Sequence, residues 1–337
     1  MLILGIETSC DDTGAGLVED GRLLAHVVAS QEVHLEYGGV VPELASRAHI
    51  TLLPRMVAEV LAKAGKRIED VGAVAATIGP GLVGSLLVGL EFAKGFSQAR
   101  GIPFVGVNHV EAHLLSPGIE HDLPFPYLGM VASGGHTEIY HVREPGVATR
   151  LGSTRDDAAG EAFDKVGKLL GLPYPGGPHV DRLAREGNAA AFAFPVARLG
   201  NDNFDLSFSG LKTAVKLAVE REPKPLSPQR VRDFAAATER AVVTALIDRL
   251  ALALDKHEAR AIGIAGGCAC NTLLRREAER LAKSRPGGIP ALFPSPALCR
   301  DNGAMIAYAG WHALRAGRVT PLDATAIPNL DAFPTGN

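Results

Sequence analysis

A chain of 337 residues with 47% apolar and 21% charged side chains has length for about two domains and the composition of an ordered soluble protein. Its net charge of −3 excludes a global basic footprint for nucleic acid, and its four scattered cysteines argue against a disulfide framework and for a reducing compartment. The opening Met1-Leu-Ile-Leu-Gly-Ile-Glu7 lacks a basic flank and is too short for a signal segment, and no apolar run approaches the ~20 residues that span a bilayer, so the expectation is a cytoplasmic protein without a membrane partner.

In chain order, residues 2–8 form an apolar strand ending in Glu7-Thr-Ser-Cys-Asp-Asp-Thr-Gly14. Alternation to Val18, the turn Glu19-Asp20-Gly21 and a second run from Leu23 to Val28 then predict a hairpin. Helical spacing from Pro42 to Ala64 carries Pro54, which marks a break or the first turn of a new helix. Val71 to Ile78 reads as a buried strand ending at Gly79-Pro-Gly81, Leu86 to Gln98 as a helix and 102–107 as the next strand, a βαβ unit with a parallel pair.

The opening pattern then recurs. Tyr127 to Ala132 is a strand, Ser133-Gly-Gly-His-Thr137 a glycine turn, and Glu138 to Val142 a strand, with Leu151-Gly152 starting a third; Gly5 and Gly129 hold equivalent places in a weak internal duplication. A helix-rich middle follows over Asp157 to Leu170, Gly177 to Arg185, Leu211 to Glu220 and Pro228 to His257. The chain closes with a strand Ala259 to Ala265, Gly266-Gly267, a helix through Leu281, a short strand Ala291 to Phe293 and a last helix from Asp301 to Ala316.

Three stretches carry candidate chemistry. In Asn108-His-Val-Glu-Ala-His113, a helix would put His109 and His113 one turn apart on one face, as a metal pair or as a hydrogen-bonded couple. The zincin pattern needs its glutamate one residue after the first histidine; Glu111 stands two after, turned about 200° away, so a metalloprotease loses its base. Asp301, in Cys299-Arg-Asp-Asn-Gly303, can arrive by tertiary folding as a third ligand or serve as a helix cap. Thr8-Ser-Cys-Asp11 and Ser133-Gly-Gly135 suit a phosphate gripped by backbone amides and hydroxyls. Gly266-Gly267 with Asn271 suits a base or ribose lying on the glycines with the amide hydrogen-bonded to it, or a plain strand-to-helix turn. Cys268-Ala-Cys270 reads as two small buried thiols rather than half a metal site, and the run Arg275-Arg276, Arg280, Lys283 and Arg285 as the solvated face of a helix rather than a phosphate contact.

Together, Gly5-Ile-Glu-Thr-Ser-Cys-Asp-Asp-Thr13, Gly79-Pro-Gly-Leu82, Asn108-His-x-x-x-His113, Ser133-Gly-Gly-His-Thr137, Gly160-Glu-Ala-Phe-Asp-Lys165, Tyr174-Pro-Gly-Gly-Pro178, Asp205-Leu-Ser-Phe-Ser-Gly-Leu-Lys212, Gly266-Gly-x-x-x-Asn271 and Asp301-Asn-Gly-Ala-Met-Ile306 resemble the TsaD family, tRNA N6-adenosine threonylcarbamoyltransferases, in its bacterial-type branch. The match runs in order from residue 2 to about 310.

The resemblance implies an α/β, actin-like and sugar-kinase-like ATPase fold of two duplicated lobes around a nucleotide cleft, with 1–122 plus 301–330 as the N-terminal lobe and 123–300, with helical insertions, as the C-terminal lobe. The last helix of that fold would carry Asp301 to His109 and His113. It implies one divalent metal, iron or zinc, on His109, His113 and Asp301. It also implies threonylcarbamoyl-AMP or another adenine nucleotide on Val131, Ala132, Ser133, Gly134, Gly135, Asp164, Gly177, Asp181, Gly266, Gly267 and Asn271, with Asp11 an acidic residue near the reacting centre and His109 and His113 acting catalytically through the metal. The implied reaction moves the threonylcarbamoyl group to N6 of the tRNA adenosine 3′ of the anticodon, with tRNA as substrate and an inactive paralogue of the same fold (TsaB-like) and a small ATPase (TsaE-like) as partners. A chaperone-like ATPase module and a small-molecule kinase are the rival activities on that fold. Cys268 and Cys270 depart from the family's usual valine or alanine, and Arg300 from its usual small polar residue.

Overall fold

The structure is a computed structural model that describes residues 1–37, 39–197, 199–200 and 202–333. It divides into two compact units, one made of Met1–Asp122, Pro145–Val147 and the chain from Arg300 onward, the other of Leu123–Glu144 and Ala148–Cys299.

The first unit opens with β1 (Leu2–Glu7), β2 (Asp12–Glu19) and β3 (Arg22–Ser30), antiparallel throughout. Asp20 and Gly21 both take positive φ, 49° and 82°, as the tight turn between β2 and β3 requires. Next come α1 (Pro42–Ala64), β4 (Val71–Gly79), α2 (Val83–Arg100), β5 (Phe104–Asn108) and α3 (His109–Leu115). Pro54 neither breaks nor restarts α1: it sits exposed within one continuous helix, which bears the cost of its missing N–H and of its ring against the preceding turn. β4 joins β1 in parallel and β5 joins β4, giving the order β3-β2-β1-β4-β5.

The second unit contains β6 (Tyr127–Ala132), β7 (Thr137–Glu144), β8 (Val147–Ser153), α4 (Ala159–Leu169), α5 (Gly176–Ala184), α6 (Ser209–Arg221), α7 (Pro228–Lys256), β9 (Ile262–Ala265), α8 (Thr272–Lys283), β10 (Ala291–Leu292) and the single turn α9 (Pro296–Cys299). Its sheet runs β8-β7-β6-β9-β10, the first sheet's order strand for strand, with the same antiparallel hairpin and parallel additions. The duplication that Gly5 and Gly129 hinted at is thus one of topology. The core of this unit gathers Leu128, Met130, Val166, Phe208, Phe234 and Leu246 around the 29-residue α7; that of the first gathers Leu4, Ile6, Leu17, Leu53, Val74 and Phe104.

The last helix, α10 (Gly303–Arg315), returns to the first unit and lies on β1 and β2. Backbone meets backbone there. A Cβ on Gly5 would stand 2.2 Å from the Gly303 carbonyl oxygen, one on Gly16 2.3 Å from the Ala304 nitrogen, and one on Gly14 2.7 Å from the Gly303 nitrogen. Gly5 and Gly16 are direct cross-strand partners, so the two strands make one flat seat for the helix. Among the described residues no helix is long and apolar enough to cross a membrane.

The seat gives a stability test with an internal control. Gly5→Ala should cost at least ~1–3 kcal/mol, since neither backbone can give way. Gly95→Ala, on the exposed face of α2 with nothing within 4 Å, should instead gain about 0.5–1 kcal/mol. Thermal unfolding of the two variants beside the parent protein checks both signs.

Candidate metal centre and glycine turns

Asn108 ends β5 with extended backbone, and its side-chain oxygen accepts from the Val110 and Glu111 amides at 2.9 and 3.2 Å. That cap starts α3 at His109, which sets His109 and His113 one turn apart with ring centroids 4.7 Å apart and planes at 86°. The Asn108 amide donates to the carbonyls of Leu330 and Asp331, at 3.4 and 3.2 Å, so the segment after α10 holds the cap in place.

Asp301 reaches the same point from the head of α10. One oxygen of its carboxylate lies 3.1 Å from His113 Nε2 and 3.6 Å from His109 Nε2. Capping of α10 falls to Asn302 instead of Asp301: the Asn302 Oδ1 accepts from the Met305 amide at 3.0 Å, and its Nδ2 donates to the Arg300 carbonyl. The ligand atoms of His109, His113 and Asp301 all lie within 4.8 Å of one another. Two imidazoles and a carboxylate converging this way form a three-ligand set of the kind that leaves positions open for substrate on zinc or ferrous iron. The fit is good on a second count: His113 is buried and its Nδ1 has no hydrogen-bond partner among the described residues, so a metal on Nε2 displaces no bond of that ring except the one to Asp301.

Glu7 completes this centre without having stood out in the sequence. Its carboxylate is fully buried at the end of β1, where it accepts from the Ser9 amide at 2.5 Å and the Thr77 hydroxyl at 2.7 Å, and lies 3.0 Å from His109 Nδ1. With Nδ1–H bound to Glu7, the nitrogen that can release its proton to a metal is Nε2, the one facing Asp301. Burial alone would raise Glu7 and lower His109; the charge and hydrogen bond of His109 override it and lower Glu7, while Asp301 and Glu7 together raise His109 to about 9. An acidic residue closing an otherwise apolar strand was the available signal.

Asp11 is half-buried beside this cluster's strand but is not among its ligands, and it accepts a hydrogen bond from the Cys10 thiol. The first polar turn is committed internally: the Thr8 hydroxyl donates to the Ser85 carbonyl, the Ser9 amide to Glu7, and the Leu82 amide to the Ser9 carbonyl. Thr8 and Ser9 therefore build the wall behind His109 instead of offering themselves to a phosphate. His49 steadies the same turn, its Nε2–H donating to the Cys10 carbonyl at 2.9 Å while Nδ1 accepts from Thr13. Next to it, burial pushes Asp12 up to about 6 although Arg300 pairs with it at 3.0 Å. Glu111, the misplaced zincin glutamate, points to Arg318 instead.

The remaining candidates lie in the second unit, around the ends of β6 and β9. After Val131 and Ala132, the Ser133 hydroxyl oxygen accepts from the Gly135 and His136 amides, while Gly134 and Gly135 are exposed with open space where a side chain would be. Gly266 has φ 87° and would press a Cβ to 2.4 Å from the Ala132 carbonyl, so only Gly267 offers an open face. Asp164 accepts from the Gly176 amide at 2.7 Å and so sets the start of α5, where a Cβ on Gly177 would touch the Phe163 Cβ at 3.9 Å. Asp181 accepts from both the amide and the hydroxyl of Thr272 at 2.7 Å and pairs with Arg185. Asn271 spends its oxygen on capping α8 and one amide hydrogen on Glu239, at 2.6 Å. Glu239, another residue absent from the sequence reading, is raised to about 7, first by burial and then by the charge of Asp181.

The basic run divides. Arg275 and Arg285 bind carbonyls of the protein, whereas Arg276 and Arg280 are exposed and line a cavity of about 640 Å³ with Arg185, Glu239 and Arg240.

Residues 22–308 match the family model described as TsaD, tRNA N6-adenosine threonylcarbamoyltransferase. The chain belongs to the TsaD family. A relative of that name from Geobacter sulfurreducens is 49% identical over 340 residues, covering 100% of this chain and 99% of its own length, and one from Desulfovibrio desulfuricans is 48% identical over 347 residues, 99% and 96% respectively. Among solved structures, HypF of T. kodakarensis superposes with a TM-score of 0.63 at 14% identity over 94% of this chain and 48% of its own. Component A of Acidaminococcus fermentans (R)-2-hydroxyglutaryl-CoA dehydratase gives 0.54 at 18% identity over 94% and 99%. These neighbours show the actin-like ATPase fold that the paired sheets of this TsaD family member display.

Two consequences for metal uptake follow from the Glu7 contact. A cation must displace the His109 proton, so affinity should rise about tenfold per pH unit up to about pH 9 and then level off. Glu7→Gln should weaken binding roughly 10- to 100-fold and flatten that slope, because the ring loses its anionic partner. Chelator competition between pH 6 and 9 measures both effects.

Proposed function

We propose that this chain transfers the threonylcarbamoyl group of threonylcarbamoyl-AMP to N6 of the adenosine 3′ of the anticodon in tRNA, releasing AMP, with one divalent metal, iron or zinc, on His109, His113 and Asp301. The observation that carries the reading is the convergence of these three side chains, backed by the buried Glu7, in a chain of the TsaD family.

An exocyclic aromatic amine is a weak nucleophile, so the protein's task is to fix the acyl donor and stabilise charge at its carbonyl oxygen. The bound metal would supply Lewis-acid polarisation and a template for the threonylcarbamoyl group. Glu7 and Asn108 keep the two imidazoles aimed, and the Asn302 cap keeps Asp301 available to complete the set. The Gly134 amide, on a turn with open space at both glycines, would meet the AMP phosphate, while Asp164, Gly177, Asp181, Gly267 and Asn271 would receive the nucleoside. As N6 forms its C–N bond and the carbonyl releases the AMP oxygen, one proton must leave the amine; Asp11 is the carboxylate assigned to accept or orient it.

The reading extends to cytoplasmic assembly with a paralogue of the same fold and a small ATPase. Exposed apolar side chains on α1 and α2, Ile50, Val83 and Leu87, support a protein partner on that face; the two helices touch where Gly84 approaches Ser46. Ile50→Glu with Leu87→Glu should abolish co-purification with the paralogue while leaving metal content unchanged.

The direct test replaces both histidines by alanine. The variant should keep its cooperative unfolding, lose stoichiometric metal and lose transfer by on the order of a thousandfold, the scale of several kcal/mol of electrostatic stabilisation. Full transfer to tRNA by the double variant would reject the assigned role.

A further inference from the structure

Cys270 and Cys299 lie 29 positions apart in sequence and meet in the second unit. Cys270 closes the single turn Gly267–Cys270 before Asn271, and Cys299 closes α9. Their thiols are hydrogen-bonded to each other. Both also face the same short connector: Cys299 Sγ stands 3.3 Å from the Pro294 carbonyl and Cys270 Sγ 4.0 Å from that of Pro296. Arg275 ties the three pieces together, donating to the Ala269 carbonyl through Nε and, through Nη2, to the Pro294 carbonyl at 2.8 Å and Cys299 Sγ at 3.5 Å.

The other two cysteines have no such arrangement. Cys10 lies in the first unit, which has no other cysteine, and donates to Asp11; Cys268 is buried. Cys270 is partly exposed and Cys299 fully buried, an accessible thiol in contact with a sheltered one. All four are thiols in this structure.

We infer that Cys270 and Cys299 are a peroxide-sensitive modification site, in which Cys270 is oxidised first and Cys299 resolves it to an intramolecular disulfide. The Cys270 sulfur attacks one oxygen of a hydroperoxide, forming the S–O bond as the O–O bond breaks and releasing hydroxide, or an alkoxide from an organic peroxide. The Cys299 sulfur then attacks Cys270 sulfenic acid, forming the S–S bond as the S–O bond breaks. With hydrogen peroxide, two thiols and one oxidant give one disulfide and two waters, and a dithiol reductant reverses the change. The two thiols are already in contact, so the disulfide would join groups that the fold has brought together. The product would fasten the Gly267–Cys270 turn to α9 within the second unit. This inference is independent of the catalytic proposal.

The full chain, oxidised with hydrogen peroxide and alkylated under denaturing conditions, tests it. Beside the unoxidised, alkylated control the intact mass should lack two alkyl groups, and digestion should yield one dithiothreitol-sensitive peptide pair joining Cys270 and Cys299. In Cys299→Ser, checked for parental melting temperature, Cys270 should instead accumulate as sulfenic acid trapped by dimedone. A disulfide through Cys10 or Cys268, irreversible oxidation of Cys270 without a cross-link, or no more dimedone labelling in Cys299→Ser than in the parent protein would each overturn it.

Discussion

The arrangement in the first unit depends on one close contact, the backbone of α10 lying directly on the glycines of β1 and β2. Side chains of ordinary size would hold a helix near 10 Å from a sheet. Here Gly5, Gly14, Gly16 and Gly303 remove that spacer, and the helix head comes down beside the ends of the strands. Those ends carry Glu7 and the Thr8–Cys10 turn, and the neighbouring β5 carries Asn108 and α3. Asp301 can reach His113 at 3.1 Å because it stands just before a helix seated this low.

Caps then assign roles to neighbouring residues that composition cannot distinguish. At the start of α3, Asn108 takes the capping bonds and leaves His109 and His113 to point together; at the start of α10, Asn302 takes them and leaves Asp301. The same division recurs in the second unit, where Asn271 caps α8 while Asp181 receives the next amide and hydroxyl. Each cap is worth about 1 kcal/mol to its helix. Its larger effect is on direction, since a helix that began one residue later would turn its ligands about 100°.

Much of this organisation was legible in the residues. The hairpins declared themselves through Asp20-Gly21 and the glycine turn at Ser133, and the spacing of His109 and His113 required only that the helix begin where it does. Gly5 and Gly129 pointed to a duplication that the two sheets display in identical strand order. Other features were invisible because they depend on what tertiary folding brings near. Glu7 lies 102 positions from His109, and Glu239 lies 32 from Asn271. No periodicity links such pairs. Thr8 and Ser9 looked like phosphate donors because sequence reports a residue's hydrogen-bonding capacity without reporting who has already used it. Pro54 was ambiguous for a related reason: a proline costs a helix interior about 3 kcal/mol, and whether the packing of Leu53, Met56, Val57 and Val60 outweighs that is decided by tertiary contacts.

The central claim is that a metal on two imidazoles and one carboxylate, aligned from behind by Glu7, is the working centre of this TsaD family member. X-ray absorption of the zinc-loaded chain at neutral pH addresses it most directly. The account predicts a shell of nitrogen and oxygen at about 2.0–2.2 Å with the outer-shell scattering of two imidazoles, lost in His113→Ala. A sulfur shell at about 2.3 Å, or imidazole scattering unchanged by His113→Ala, would contradict it.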